Sequence, residues 1–82
     1  MDQLVSSCFG QVVRSLRQDA GMTQEKLGEG AHLQRNYISS LELGQKQPSL
    51  LTVFKIAQAL GVQPNRLVEK VVDRMKYHQR DL

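Results

Sequence analysis

Eighty-two residues, 40% of them hydrophobic and 23% charged, give one small globular domain with room for only a modest core. The net charge of +3 permits a polyanionic partner without requiring one: residues 1–60 hold six bases and five acids, and the last 22 hold five bases and three acids. With no apolar run near the ~18–20 residues of a membrane span, Asp2 and Gln3 where a signal peptide starts basic, and a lone Cys8 that cannot close an internal disulfide, a cytoplasmic protein is expected rather than a membrane or secreted one.

The expected fold class is all-α, a compact five-helix domain with helices over roughly 7–20, 23–30, 34–42, 49–60 and 64–77. Apolar residues recur at three-to-four spacing, and no strand-like alternation of any length is present. Phe9, Val13, Leu16 and Ala20 make the inner stripe of the first helix, and Gly21 ends it with the left-handed cap that glycine accepts. The second helix opens at Thr23, whose hydroxyl caps the first turn, with Glu25 near the positive end of the helix dipole. Leu27 and Ala31 face inward on it. Gly28 and Gly30 each cost up to ~1 kcal/mol against alanine there, so neighbours must hold this helix. Leu33, Tyr37, Ile38 and Leu41 define the third helix, and Gly44 terminates it. Pro48 and Ser49 reset the chain before the fourth, whose inner face is Leu50, Val53, Ala57 and Leu60, with Gly61 closing it. Pro64 starts the fifth, which carries Leu67, Val68, Val71, Val72 and Met75. No linker or second domain is visible, so residues 1–82 are expected to form a single domain.

Two short helices joined by a tight turn, over residues 23–42, fit a helix-turn-helix unit. The second helix of such a unit lies in the major groove and offers the side chains of its first turns to base edges. Gln34, Arg35, Asn36 and Ser40 are then the groups in reach. Arginine can hold guanine through two parallel hydrogen bonds, and asparagine can do the same with adenine. The plain alternative is that these four make a solvated helix face. Tyr37, Ile38 and Leu41 lie between them and are expected to pack inward, fixing the polar face.

The segments FGQVVRSLR, GMTQEKL, YISSLELG and PSLLTVFKIAQALGVQP, in this order and spacing, carry a family resemblance. Over about residues 9–68 the chain resembles the Cro and phage-repressor-like (XRE-type) helix-turn-helix regulators. The Tyr37–Ile38–Ser39 run and the short chain are similar, more narrowly, to controller proteins of restriction–modification systems. The resemblance implies a lambda-repressor-like fold and a bacterial transcription regulator, autoregulation included. Such a regulator binds double-stranded DNA at a (pseudo)palindromic operator as a homodimer. It also implies base contacts by Gln34, Arg35, Asn36 and Ser40. DNA-backbone contacts fall to Thr23, Gln24, Tyr37, Gln45 and Lys46. An ion pair between Arg17 and Glu42 would tie the first helix to the end of the third.

Three positions depart from the family pattern. Gly28 replaces a packed alanine and should loosen the second helix. His32 replaces the glycine of the turn and is expected to be left-handed at some cost. Gln34 stands where a stronger N-cap such as serine is common. The fifth helix has a broader apolar face than a small core needs, and Leu51 and Phe54 fall off the inner stripe of the fourth. Leu51, Phe54, Val68, Val72 and Met75 are therefore the expected dimer interface, against the alternative that the fifth helix wraps the core and hides both stripes. A protein-interaction module such as an antitoxin is the competing function. An enzyme is not expected, for lack of a nucleophile with its base, a phosphate-cradling loop or a metal-ligand cluster. His32 and His78 lie too far from Cys8 in sequence to make a metal site, and no cofactor or small-molecule ligand is expected. RNA polymerase is a candidate partner through Glu25 and Glu29.

Overall fold

The computed structural model describes residues 1–80 as five helices, with no strand among them: α1 (Asp2–Asp19), α2 (Gln24–Ala31), α3 (Arg35–Glu42), α4 (Leu50–Leu60) and α5 (Pro64–Arg80). α5 lies along α1, α3 packs between α1 and α2, and α4 closes the far side against α2 and α5. Leu27, Ile38, Leu41, Ile56, Leu67 and Val13 meet at the centre and are fully buried. Each is worth roughly 1.5–3 kcal/mol when taken from water, so these six set where the helices cross.

Local chemistry sets most of the boundaries. The Thr23 hydroxyl accepts from the Lys26 N–H at 3.0 Å, and the Ser49 hydroxyl accepts from the Thr52 N–H at 3.1 Å. Both residues are therefore caps lying just outside their helices. Gln34 also lies outside α3, with extended backbone and no side-chain cap bond. Gly44 and Gly61 adopt positive φ at or just beyond the ends of α3 and α4, as a glycine there allows.

Several inner stripes differ from the sequence expectation. α1 begins at Asp2 rather than Ser7, because Leu4 packs on the core and Ser6 and Cys8 are buried, which gives the first turns tertiary partners. Ala20 is the exposed C-cap of α1, and Val12 takes the inward place beside Val13. On α4 the inner face is Val53, Ile56, Ala57 and Leu60, while Leu50 is 73% exposed at the first turn, beyond the edge of the core. Tyr37 is half-buried at the core's rim rather than inside it. α5 runs to Arg80 rather than Tyr77; Arg74 Nη1 donates to the Gln11 side-chain oxygen at 3.2 Å and His78 Nε2 lies 3.4 Å from it, holding the later turns to α1. Cys8 is 1% exposed, and that burial pushes its thiol pKa up, with the nearby positive charge of Arg74 opposing.

At Gly28 the turn that follows α2 runs close against the helix. A Cβ there would stand 2.5 Å from the Leu33 carbonyl oxygen, and the Leu33 N–H donates to the Gly28 carbonyl at 2.9 Å. The turn's strain falls instead on His32, at φ 58° and ψ 42° the one non-glycine residue with positive φ among those described. A left-handed residue with a Cβ costs on the order of 1–2 kcal/mol. His32→Gly is therefore expected to raise stability by roughly 0.5–1 kcal/mol, part of the gain being lost to the freer unfolded chain. Thermal unfolding should show a rise of a few degrees; a lower midpoint would mean that the imidazole makes a compensating contact.

Candidate nucleic-acid interface

The first turn of α3 presents Gln34, Arg35 and Asn36 to solvent, all exposed, with Ser40 half-buried one turn further on the Asn36 side. Their direction is set from beneath. Ile38 and Leu41 are 0% exposed, so α3 cannot rotate about its axis without lifting two full side chains out of the core. Because Gln34 makes no cap bond, its carboxamide remains available to an outside partner. Among the described residues no side-chain hydrogen bond or ion pair involves Arg35 or Asn36 either, which leaves their side-chain donors unspent.

The opposite end of α3 is tied by a polar cluster. Arg17 Nε donates to Glu42 Oε2 at 2.7 Å and Arg17 Nη2 donates to Glu42 Oε1 at 3.0 Å, a two-pronged pair that bridges α1 and α3. The side chains are 11% and 3% exposed. Arg17 Nη1 also donates to the Met22 carbonyl at 2.8 Å, which anchors the α1–α2 turn. The hydrogen bond to Glu42 holds the Arg17 pKa above its ordinary value; burial works against this, and the attraction of the same carboxylate adds to it. Gln24 joins the cluster, with Nε2 donating to Glu42 Oε1 at 3.0 Å.

Beyond α3 the chain turns through Gly44, at φ 73°, whose backbone packs so closely on α1 that a Cβ would lie 3.1 Å from the Ser7 Cα. Gln45 and Lys46 project from this anchored loop and are exposed. Lys46 Nζ stands 5.8 Å from the centre of the Tyr37 ring, within range of a cation–π attraction. Thr23, exposed, and Gln24, half-exposed, lie at the start of α2, beside Glu42 and so near this same end. Polar side chains thus stand at both ends of α3: Gln34, Arg35 and Asn36 at its first turn, and Gln24, bonded to Glu42, at its last, with Lys46 beside Tyr37.

Sequence reading had no hold on Gln24's partner, on the Met22 carbonyl bond or on the close seating of Gly44. Of the residues expected at a dimer interface, Leu51, Phe54, Val68 and Val72 are exposed by 63%, 52%, 46% and 41%. Met75 is half-buried against the core and has less surface to offer. Glu25 and Glu29 are exposed on α2, where Glu29 forms a loose pair with Lys26 at 3.9 Å. Among the described residues no group of three His, Cys, Asp or Glu side chains could hold a metal ion, and no helix is long and apolar enough to cross a membrane.

Residues 13–67 match the family described as Helix-turn-helix. The control protein C.BamHI of Bacillus amyloliquefaciens is 47% identical over 62 residues, which cover 74% of this chain and 76% of that one. The crystal structure of the restriction-modification controller protein C.AhdI from Aeromonas hydrophila is similar at a TM-score of 0.73 and 39% identity, covering 74% of this chain and 92% of that one. The controller protein C.Esp1396I, solved as a tetramer in complex with its natural 35 base-pair operator, is similar at a TM-score of 0.80 and 27% identity, covering 87% of this chain and 93% of that one.

Proposed function

Because the chain belongs to the helix-turn-helix family, we propose that it is a sequence-specific, double-stranded DNA-binding transcription regulator that acts in the cytoplasm as a homodimer. The observation that carries this reading is the exposed, unspent polar turn at Gln34, Arg35 and Asn36 on a helix whose rotation is locked by Ile38 and Leu41. Fixed donors facing outward can read base edges in the major groove; donors on a loose helix could not discriminate among them. Gln34, Arg35, Asn36 and Ser40 contact bases. Thr23, Gln24, Tyr37, Gln45 and Lys46 contact the sugar–phosphate backbone, setting register without reading sequence. The regulatory role is supported by the likeness to C.BamHI and to C.Esp1396I, the latter solved on its own operator.

One recognition helix spans only a few base pairs, so two-fold pairing adds both affinity and specificity. Leu51, Phe54, Val68 and Val72 supply the apolar surface for it.

Selection of bound duplexes from a random pool tests the reading. The expected product is a two-fold-symmetric sequence with half-sites one helical turn, or a multiple of it, apart. Arg35→Ala should lose preference at one base position in each half-site, at a cost of about 1–3 kcal/mol. Lys46→Ala should weaken binding to all sequences alike and lower the salt slope by about 1. An Arg35→Ala protein that selects the wild-type sequence unchanged would remove Arg35 from the reading surface.

A further inference from the structure

We propose that Glu42, besides pairing with Arg17, is a positioning residue for DNA binding that fixes which end of the Gln24 carboxamide faces the phosphate backbone. The proposal rests on the DNA-binding reading above. A glutamine amide has a donor end and an acceptor end of nearly equal shape, and in water the two exchange freely. A phosphate oxygen only accepts, so a Gln24 amide presenting its oxygen outward would repel the backbone instead of binding it.

The ionised Glu42 carboxylate is also acceptor-only. It lies 3.0 Å from Gln24 Nε2, so the nitrogen must face it and the flipped amide is disfavoured. One N–H of the NH2 group is used on Glu42 Oε1; the other is left for an acceptor outside the protein. The carboxylate is itself immobile. Its two oxygens receive Arg17 Nε at 2.7 Å and Nη2 at 3.0 Å, and its side chain is only 3% exposed. Arg17 also neutralises it, so a carboxylate can stand close to the DNA backbone without opposing the approach. Gln24 is thus held at the first position of α2 with its donor committed before DNA arrives, which lowers the ordering cost of the contact.

The sign of one substitution distinguishes this role from a purely structural one. Glu42→Gln removes a negative charge near DNA, which by electrostatics alone leaves affinity unchanged or strengthens it. It also removes the acceptor-only partner, so positioning requires weaker binding. Affinity is measured by fluorescence anisotropy on one selected duplex, at a temperature where circular dichroism shows each variant folded. Wild-type binding tests the DNA-binding reading, and the ratios between variants test the positioning.

Glu42→Gln and Gln24→Ala should each weaken binding about three- to tenfold, the range of one lost hydrogen bond. In the Gln24→Ala background, Glu42→Gln should bring no further loss, while the melting temperature falls in both backgrounds. Affinity losses that multiply, or a Glu42→Gln protein that binds as well as wild type or better, would overturn the proposal. Gln24→Asn gives a second test that leaves the ion pair intact: its amide is too short to keep the bond to Glu42 and should bind as poorly as Gln24→Ala. Wild-type affinity in Gln24→Asn would equally overturn it.

Discussion

Glu42→Ala is expected to cost the fold about 3–5 kcal/mol, because it leaves the Arg17 guanidinium without its carboxylate in a largely dry site. A domain of this size holds on the order of 5–15 kcal/mol in total, so the variant should be partly unfolded at 37 °C. The magnitude follows from geometry. An exposed ion pair contributes at most about 1 kcal/mol, but here the side chains are 11% and 3% exposed and the contact is two-pronged. Removing Glu42 also takes away the acceptor for Gln24. Urea unfolding followed by circular dichroism measures the effect. A loss below about 1 kcal/mol would mean that the pair is screened like a surface bridge. The double replacement Arg17→Met with Glu42→Leu should recover most of the stability, since an apolar pair of similar volume avoids the desolvation cost.

The parts of this molecule that were legible in the sequence are those governed by short-range rules. Ile38 and Leu41 lie three residues apart and both reach the core, as do Leu67 and Val71 at four. Thr23 caps because a hydroxyl one residue before a helix can reach the third N–H beyond it. The surplus of apolar residues on α4 and α5 was visible because Val68 and Val72 make a second stripe beside Leu67 and Val71. Helix ends were less legible. Whether α1 starts at Asp2 or Ser7 depends on whether Leu4 finds the core, and whether Leu50 is inside depends on where the core stops. The polar cluster was half-visible: the resemblance supplied Arg17 and Glu42, 25 residues apart, but no periodicity links Gln24 to Glu42, 18 residues away. At Gly28, propensity counts the entropy cost of a glycine in a helix but not the carbonyl oxygen of Leu33 that would meet a Cβ.

The same error of counting would be worst at Gly10, in the middle of α1. Propensity alone predicts that Gly10→Ala stabilises α1 by up to ~1 kcal/mol. The opposite is expected, a net loss of about 2 kcal/mol or more. A Cβ on Gly10 would meet the Leu41 carbonyl oxygen head-on and would stand 2.6 Å from the Glu42 carbonyl oxygen and 2.8 Å from its carbon. All three atoms are backbone, so no side chain can swing aside, and overpacking of this kind typically costs 1–3 kcal/mol and occasionally more. Relief requires α3 to back away from α1. That movement pulls Glu42 from Arg17 and tilts the turn carrying Gln34, Arg35 and Asn36, so DNA affinity should fall along with stability. Gly30→Ala is the matched control: there a Cβ meets only the Ala59 side chain at 3.3 Å and its Cα at 3.9 Å, and the expected change is within a few tenths of a kcal/mol of zero. If urea unfolding gave Gly10→Ala the same midpoint as Gly30→Ala, the close approach of α1 to the end of α3 would not be what holds the recognition helix in place.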